Sequence, residues 1–116
     1  MLTLICGLSR SGKTTLSKSY DGVVLHSDCC GYDGVVSRVR RYADVVVEGI
    51  YSSKWQRIRL LHAYKGDKTK CIWLDTPIQI RQSRNGYSKH SELPFEPPTY
   101  AEGWDEIIVI RENNHD

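Results

Sequence analysis

Gly7-Leu8-Ser9-Arg10-Ser11-Gly12-Lys13-Thr14 is a complete G-x-x-x-x-G-K-[ST] phosphate-binding loop, and its setting decides the fold class. Leu2-Thr3-Leu4-Ile5-Cys6 before it reads as a buried strand, and residues 14–20 after it read as a helix. Such a turn aims successive backbone N–H groups, and the positive end of a helix, at phosphate oxygens. The spacing gives phosphate contacts to Gly7, Ser9, Arg10, Ser11, Gly12, Lys13, Thr14 and Thr15. Lys13 is expected to reach the β- and γ-phosphates, and the Thr14 hydroxyl to ligate Mg²⁺. A chance match in an ordinary strand-turn-helix connection would not need strand, loop and helix to agree.

Working outward, the other segments alternate between strand-like and helix-like, which predicts a parallel sheet covered on both faces. Gly22-Val23-Val24-Leu25-His26 reads as a second strand ending at Ser27-Asp28. Val35, Val36, Val39 and Tyr42 recur at helical spacing, with Asp33 as N-cap. Asp44-Val45-Val46-Val47-Glu48 is a third strand closing on a carboxylate. Ser53-Lys54-Trp55-Gln56 is a capping box opening a helix whose apolar stripe includes Trp55, Ile58 and Leu61, stopping near Gly66.

Lys70-Cys71-Ile72-Trp73-Leu74 is the fourth strand, and Thr76-Pro77-Ile78-Gln79 opens a further helix fraying near Asn85-Gly86. Residues 86–98 show no clean periodicity and form a lid-like segment. Thr99-Tyr100-Ala101-Glu102 is a third capping box over one short turn. Glu106-Ile107-Ile108-Val109-Ile110 is the last strand, followed by a polar tail. Five strands with helical crossovers suit a single P-loop NTPase-type α/β domain over residues 1–116. Ligands bind at the carboxyl ends of strands in such sheets, so strand-ending residues are the candidates for chemistry.

The chain has 116 residues, 40% hydrophobic and 26% charged, which is globular rather than disordered composition. No apolar run approaches the ~20 residues of a membrane-spanning helix. The N-terminal residues read as strand and loop, not as a signal peptide. Cys6, Cys29, Cys30 and Cys71 have neither zinc spacing nor a secreted disulfide framework. Cys6 and Cys71 fall in strand-like runs as small buried hydrophobes, and free thiols in the cytoplasm are expected. Charge is uneven: residues 35–70 hold nine Lys and Arg against three acids, and residues 91–116 hold one Arg against seven acids. The basic middle can meet a phosphate backbone or be the solvated faces of two helices.

Asp28 ends a strand beside the phosphate loop, where a carboxylate can take the proton of an attacking hydroxyl. It can equally cap the turn-like Asp28-Cys29-Cys30-Gly31. Glu48 stands where a carboxylate holds an Mg²⁺-bound water or orients an acceptor, although polar residues commonly end buried strands. Asp75 also ends a strand, with a structural role at the start of the helix behind it. Arg81, Arg84, Lys89 and His90 gather around the lid-like segment, where a cation neutralises transferring phosphate; exposed helical arginines are also ordinary. Arg84 is the best placed of them, and its fork suits phosphate geometry. His26 and His62 lie in core-adjacent patterns and read as structural.

Four stretches together resemble the polynucleotide-kinase-like branch of P-loop kinases, common in bacteriophages and RNA repair systems. They are the phosphate loop; Ser27-Asp28; Leu74-Asp75-Thr76-Pro77 with Ser83-Arg84-Asn85; and Phe95-Glu96-Pro97-Pro98-Thr99 leading to Glu102-Gly103-Trp104-Asp105-Glu106-Ile107. The resemblance implies a sheet ordered 2-3-1-4-5, ATP and Mg²⁺ as donor, and a hydroxyl as acceptor. It also implies Asp28 as general base, Arg84 on the phosphates, and residues 95–104 near the adenine. Three departures stand out. Gly31 replaces an arginine that contacts the acceptor's phosphate. Ser88 or Lys89 stands where a second lid arginine usually follows. The lid, about residues 86–98, is short.

The expected activity is therefore ATP-dependent phosphate transfer to a hydroxyl of a nucleic acid, either a 5′-hydroxyl end or a hydroxymethyl base. Catalysis is assigned to Lys13, Asp28 and Arg84, helped by Arg81 or Lys89, and the metal to Thr14 and Glu48. A nucleoside, nucleotide or other small-metabolite kinase, and a nucleotide-binding module without transfer, are the alternatives.

Overall fold

Each apolar run is separated from the next by a helix or an irregular crossover, so the runs pair side by side in parallel instead of as hairpins. The computed structural model describes residues 1–89 and 92–111. Its strands are β1 (Leu2–Cys6), β2 (Val24–His26), β3 (Val45–Gly49), β4 (Thr69–Leu74) and β5 (Glu106–Ile110). They form one all-parallel sheet ordered β2-β3-β1-β4-β5. The helices are α1 (Lys13–Ser17), α2 (Ser27–Val39), α3 (Lys54–Ala63) and α4 (Ile78–Gln82), with a 3₁₀ turn at Tyr100–Glu102. No helix among the described residues is long and apolar enough to cross a membrane.

β1 is buried along its whole length, as a central parallel strand must be. Its alternate side chains serve two cores. Leu2, Leu4 and Cys6 join Val35 and Val39 of α2, Leu60 and Ala63 of α3, and Trp104. Ile5 faces the other way, joining Val46, Ile72 and Leu74, with Leu16 and Tyr20 packed against them. Cys6 and Cys71 are buried free thiols with sulfurs 3.7 Å apart, and burial raises the Cys6 thiol well above its ordinary value.

Several local expectations shift. α1 ends at Ser17, where Ser17 Oγ donates to the Thr14 carbonyl and Ser19 Oγ to that of Leu16, competing with helical bonding. β3 starts at Val45 because Asp44 pairs with the Met1 amino group at 2.7 Å. α2 starts at Ser27, straight after β2, and breaks at Gly31 (φ 74°, ψ 161°), a conformation open to glycine. Asp33 is thus no N-cap; its carboxylate pairs with Arg59 of α3. Thr76 is no cap either. Its hydroxyl donates to the Ser11 carbonyl at 2.9 Å, and α4 runs only from Ile78 to Gln82 behind Pro77. Asp75 does hold that junction, its N–H bonding the Ile110 carbonyl at 2.9 Å and its carboxylate meeting Arg111 at 3.4 Å.

The largest revision concerns α3. The capping boxes at Ser53 and Thr99 both form. Yet the buried face is Arg57, Leu60 and Ala63, Trp55 is 67% exposed, and the helix stops at Ala63. Arg57 sets this phase. Its guanidinium, fully buried, donates twice to Glu102 at 2.8 and 2.9 Å and once to the Tyr51 carbonyl at 2.7 Å. It also lies 5.7 Å from the centre of the Phe95 ring, which stacks on Trp73 at 5.1 Å. Trp104 Nε1 donates to Glu102 at 3.0 Å, leaving that carboxylate well served.

A buried ion pair with one partner removed leaves an uncompensated charge. Glu102→Gln is therefore expected to lose about 3–5 kcal/mol of stability, read from urea midpoints at pH 7. Burial pushes the Glu102 carboxyl up, but the bonds from Arg57 and Trp104 outweigh it and hold the group below its ordinary value. A lowered folded-state value means this stabilisation is present above about pH 4.3, the unfolded value, and is lost as pH falls through the folded one. Stability of the wild type should fall over that acid window, and Glu102→Gln should show a shallower fall.

Candidate active site

The phosphate loop connects β1 to α1 and is held from both sides. Gly7 N–H donates to the Ile50 carbonyl at 3.2 Å, and Thr76 grips Ser11 as described. Gly12 takes a left-handed conformation (φ 102°) at the start of α1, and Arg10 is also left-handed (φ 65°). Gly7 has no room for a side chain: a Cβ there would lie 2.6 Å from Ser11 Oγ and 2.7 Å from the Leu74 carbonyl oxygen. Lys13 Nζ donates to the Leu8 carbonyl at 2.9 Å, across the loop it serves. Burial lowers the Lys13 ammonium below its ordinary value, opposed by the carboxylates of Glu48 and Asp28.

Two cavities open on either side of this loop. One, about 620 Å³, is lined by Arg10, Lys13, Thr14, Thr15, Arg84 and Asn85 together with apolar Leu16, Leu74 and Ile110. The other, about 350 Å³, is lined by Ser9, Thr14, Ser27, Asp28, Tyr32, Glu48, Gly49 and Ile50, with Arg10 and Lys13 shared between the two. The larger has cationic side chains and no carboxylate in its lining; the smaller has two carboxylates. Arg10, Lys13 and Thr14 form the wall between them. Arg84 Nη1 donates to the Arg10 carbonyl at 2.7 Å, and Arg10 Nη2 lies 3.4 Å from the Gly86 carbonyl, so the start of the lid-like segment is stitched to the phosphate loop.

Asp28 sits in the first turn of α2, exposed at the mouth of the smaller cavity, while Glu48 is buried near the end of β3. His26 joins them. Its Nδ1 donates to Glu48 Oε2 at 2.6 Å, and ligand atoms of His26, Asp28 and Glu48 all lie within 4.8 Å of one another. His26 is half-buried and held by Glu48, and His62 is exposed at the end of α3. Oxygen donors such as those of Thr14 and Glu48 are hard ligands of the kind that suit Mg²⁺, and the His26 bond orients Glu48.

Two of the expected cations lie away from both cavities. Arg81 is buried, paired twice with Glu92 and bonded through Nε to the Thr76 carbonyl at 3.1 Å, so it braces the lid-like segment. Lys89 is exposed and lines neither cavity; His90 lies outside the described residues, as do Ser91 and residues 112–116. Residues 95–104 line neither cavity; Phe95, Glu102 and Trp104 pack around Arg57 instead. The basic middle is divided: Arg57 is core, Arg59 pairs with Asp33, Arg38 bonds the Gly34 carbonyl, and Lys70 faces Glu106 at 3.9 Å.

Tyr51, which sequence reading passed over, supports the smaller cavity. It is buried at φ 46°, and its phenol oxygen accepts from Ser27 Oγ at 3.0 Å. Its ring meets that of Tyr32 edge-on at 4.9 Å. Burial pushes the Tyr51 phenol well above its ordinary value, so it stays uncharged.

No protein family and no curated protein matches the chain. Among solved structures, it is similar to the crystal structure of APE1195, with a TM-score of 0.55 and 18% identity. The match covers 93% of this chain and 83% of that one. At that identity the likeness shows the fold alone.

The close approach at Gly7 yields a direct test. Gly7→Ala must displace Ser11 or the end of β4, so it is expected to cost about 1–3 kcal/mol of stability.

Proposed function

We propose that this protein transfers the γ-phosphate of Mg²⁺·ATP to a hydroxyl group. One observation carries the reading: Lys13 and Thr14 form the wall between a cationic cavity and a carboxylate-bearing one. Phosphoryl transfer needs that separation, because the donor must be clamped by cations while the acceptor's proton is removed from the opposite side.

The loop N–H groups, Lys13 and Arg84 bind the triphosphate in the larger cavity. Thr14, with Glu48 nearby, would hold Mg²⁺, which supplies charge neutralisation when bound. In the smaller cavity the acceptor oxygen attacks the γ-phosphorus and the bond to the β,γ-bridging oxygen breaks. Asp28 takes the hydroxyl proton, and ADP and a phosphomonoester leave. The resemblance to polynucleotide-kinase-like enzymes supports this chemistry, and with it a nucleic-acid hydroxyl as acceptor. A small-molecule acceptor is the second reading. It is favoured by the limited volume of the cavity and by the intramolecular partners that hold Arg38, Arg57, Arg59 and Lys70 of the basic middle.

Asp28→Asn removes the proton acceptor and leaves the donor cavity unchanged. Transfer from γ-labelled ATP is expected to fall by about 10²–10⁴-fold. The ATP dissociation constant should stay within a factor of a few. Equal loss of ATP binding would assign Asp28 to the nucleotide instead.

A further inference from the structure

We infer that Tyr32 is a stacking platform for a nucleobase, so that the hydroxyl presented to Asp28 belongs to the sugar of a nucleoside, free or at the end of a strand. The inference rests on the phosphotransferase reading and names the class of its acceptor.

The aromatic ring and its support carry the argument. Tyr32 is the one aromatic residue in the lining of the smaller cavity among the described residues. It is half-buried, and its ring meets that of Tyr51 edge-on, with 4.9 Å between centres and 87° between planes. Edge-on packing leaves at least one face of the Tyr32 ring uncovered by Tyr51. Gly31 adjoins it at the break in α2, and a Cβ there would meet no heavy atom within 4 Å beyond its chain neighbours, so the approach is open. Tyr51 itself is pinned. Its hydroxyl accepts from Ser27, its carbonyl accepts from Arg57 at 2.7 Å, and a Cβ on Gly49 would come within 2.8 Å of its ring. The platform is fixed before an acceptor arrives, which lowers the ordering cost of binding.

The rest of the lining says what lies on that platform. The phosphate loop, Asp28 and Glu48 supply polar groups, whereas Tyr32 and Ile50 supply carbon surface. A bare sugar would set hydroxyls against that carbon, and a hydroxyl buried without a partner costs free energy. A base lays a flat ring there, and every base has a π face to stack. Asp28 and Tyr32 flank the break at Gly31 and line the same cavity, so one molecule can engage both. In a nucleoside a single furanose ring separates the 5′-hydroxyl from the base. At about 350 Å³ the cavity sits at the low end of the ~300–1,000 Å³ typical of small-molecule sites, so a strand would insert its terminal nucleoside alone.

The test compares acceptors that differ only in the base, with γ-labelled ATP and Mg²⁺. One series sets each common nucleoside against methyl riboside. The other sets a 5′-hydroxyl oligonucleotide against the same strand with an abasic 5′-terminal residue. The series that is phosphorylated tells a free nucleoside from a strand end. Within it the base-bearing member is expected to show a kcat/KM about 10–100-fold higher. Tyr32→Leu, which keeps an apolar side chain without an aromatic face, should bring that ratio near one with the KM for ATP unchanged. Tyr32→Phe should retain the wild-type ratio. Thermal unfolding checks that each variant is folded, and the wild-type ratio needs no variant. Equal use of both members by the wild type, or a ratio unchanged in Tyr32→Leu, overturns the inference alone. Transfer confined to baseless acceptors or to a hydroxymethyl base does the same. Absence of transfer to any hydroxyl by protein that binds ATP overturns the phosphotransferase reading, and this inference with it.

Discussion

A guanidinium without solvent exposure ties the architecture together. Arg57 reaches from α3 into the core and binds Glu102, the Tyr51 carbonyl and the face of Phe95. A charge in that position is tolerable only because every neighbour is arranged to satisfy it. The segment before β5 must therefore turn at Tyr100–Glu102, and α3 must present Arg57 inward. Tyr51 must also hold a left-handed conformation that places its carbonyl on the guanidinium. The same residue's phenol accepts from Ser27, and its ring steadies Tyr32. A structural pair at one end of the core is thus connected, through one strained tyrosine, to two residues lining the smaller cavity.

On the other side of β1 the constraint is closeness. Gly7 lies against Ser11 and the Leu74 carbonyl, and Thr76 and Arg84 hold the loop from outside. These contacts hold the loop in shape on their own, which is the preordering that lowers the cost of binding a ligand. The loop is also a boundary. Arg10 and Lys13 face both cavities, Arg84 adds a third cation on the β4 and β5 side, and Asp28 and Glu48 stand on the β2 and β3 side, because the sheet order places α2 and the end of β3 opposite α4 and the lid-like segment.

How far the chain could be read without coordinates follows from the range of each interaction. The phosphate loop, both functioning capping boxes and the five strands depend on neighbours a few residues apart, and these local patterns match the structure. Features set by distant partners were not legible. Counting Arg57 as polar rotated α3 and put Trp55 inside, because nothing near Arg57 in sequence announces Glu102, 45 residues on. Thr76 has the pattern of a cap, yet Ser11 takes its hydroxyl. Arg81 has the spacing of a phosphate ligand, yet Glu92, 11 residues on, occupies its guanidinium. His26 became part of the candidate site only once β2 was paired with β3, which sets it directly beside Glu48. A helical turn beginning at Ser27, ahead of the break at Gly31, places Asp28 on a helix instead of at a strand end.

The central claim concerns which cavity holds which half of the reaction. A crystal structure with Mg²⁺ and a non-hydrolysable ATP analogue tests it most directly. The account predicts the nucleoside in the larger cavity beside Arg84, the triphosphate on the loop, and the γ-phosphate at Lys13 facing the Asp28 side. A nucleoside seated between Tyr32 and Glu48, or a γ-phosphate directed away from Asp28, would contradict it.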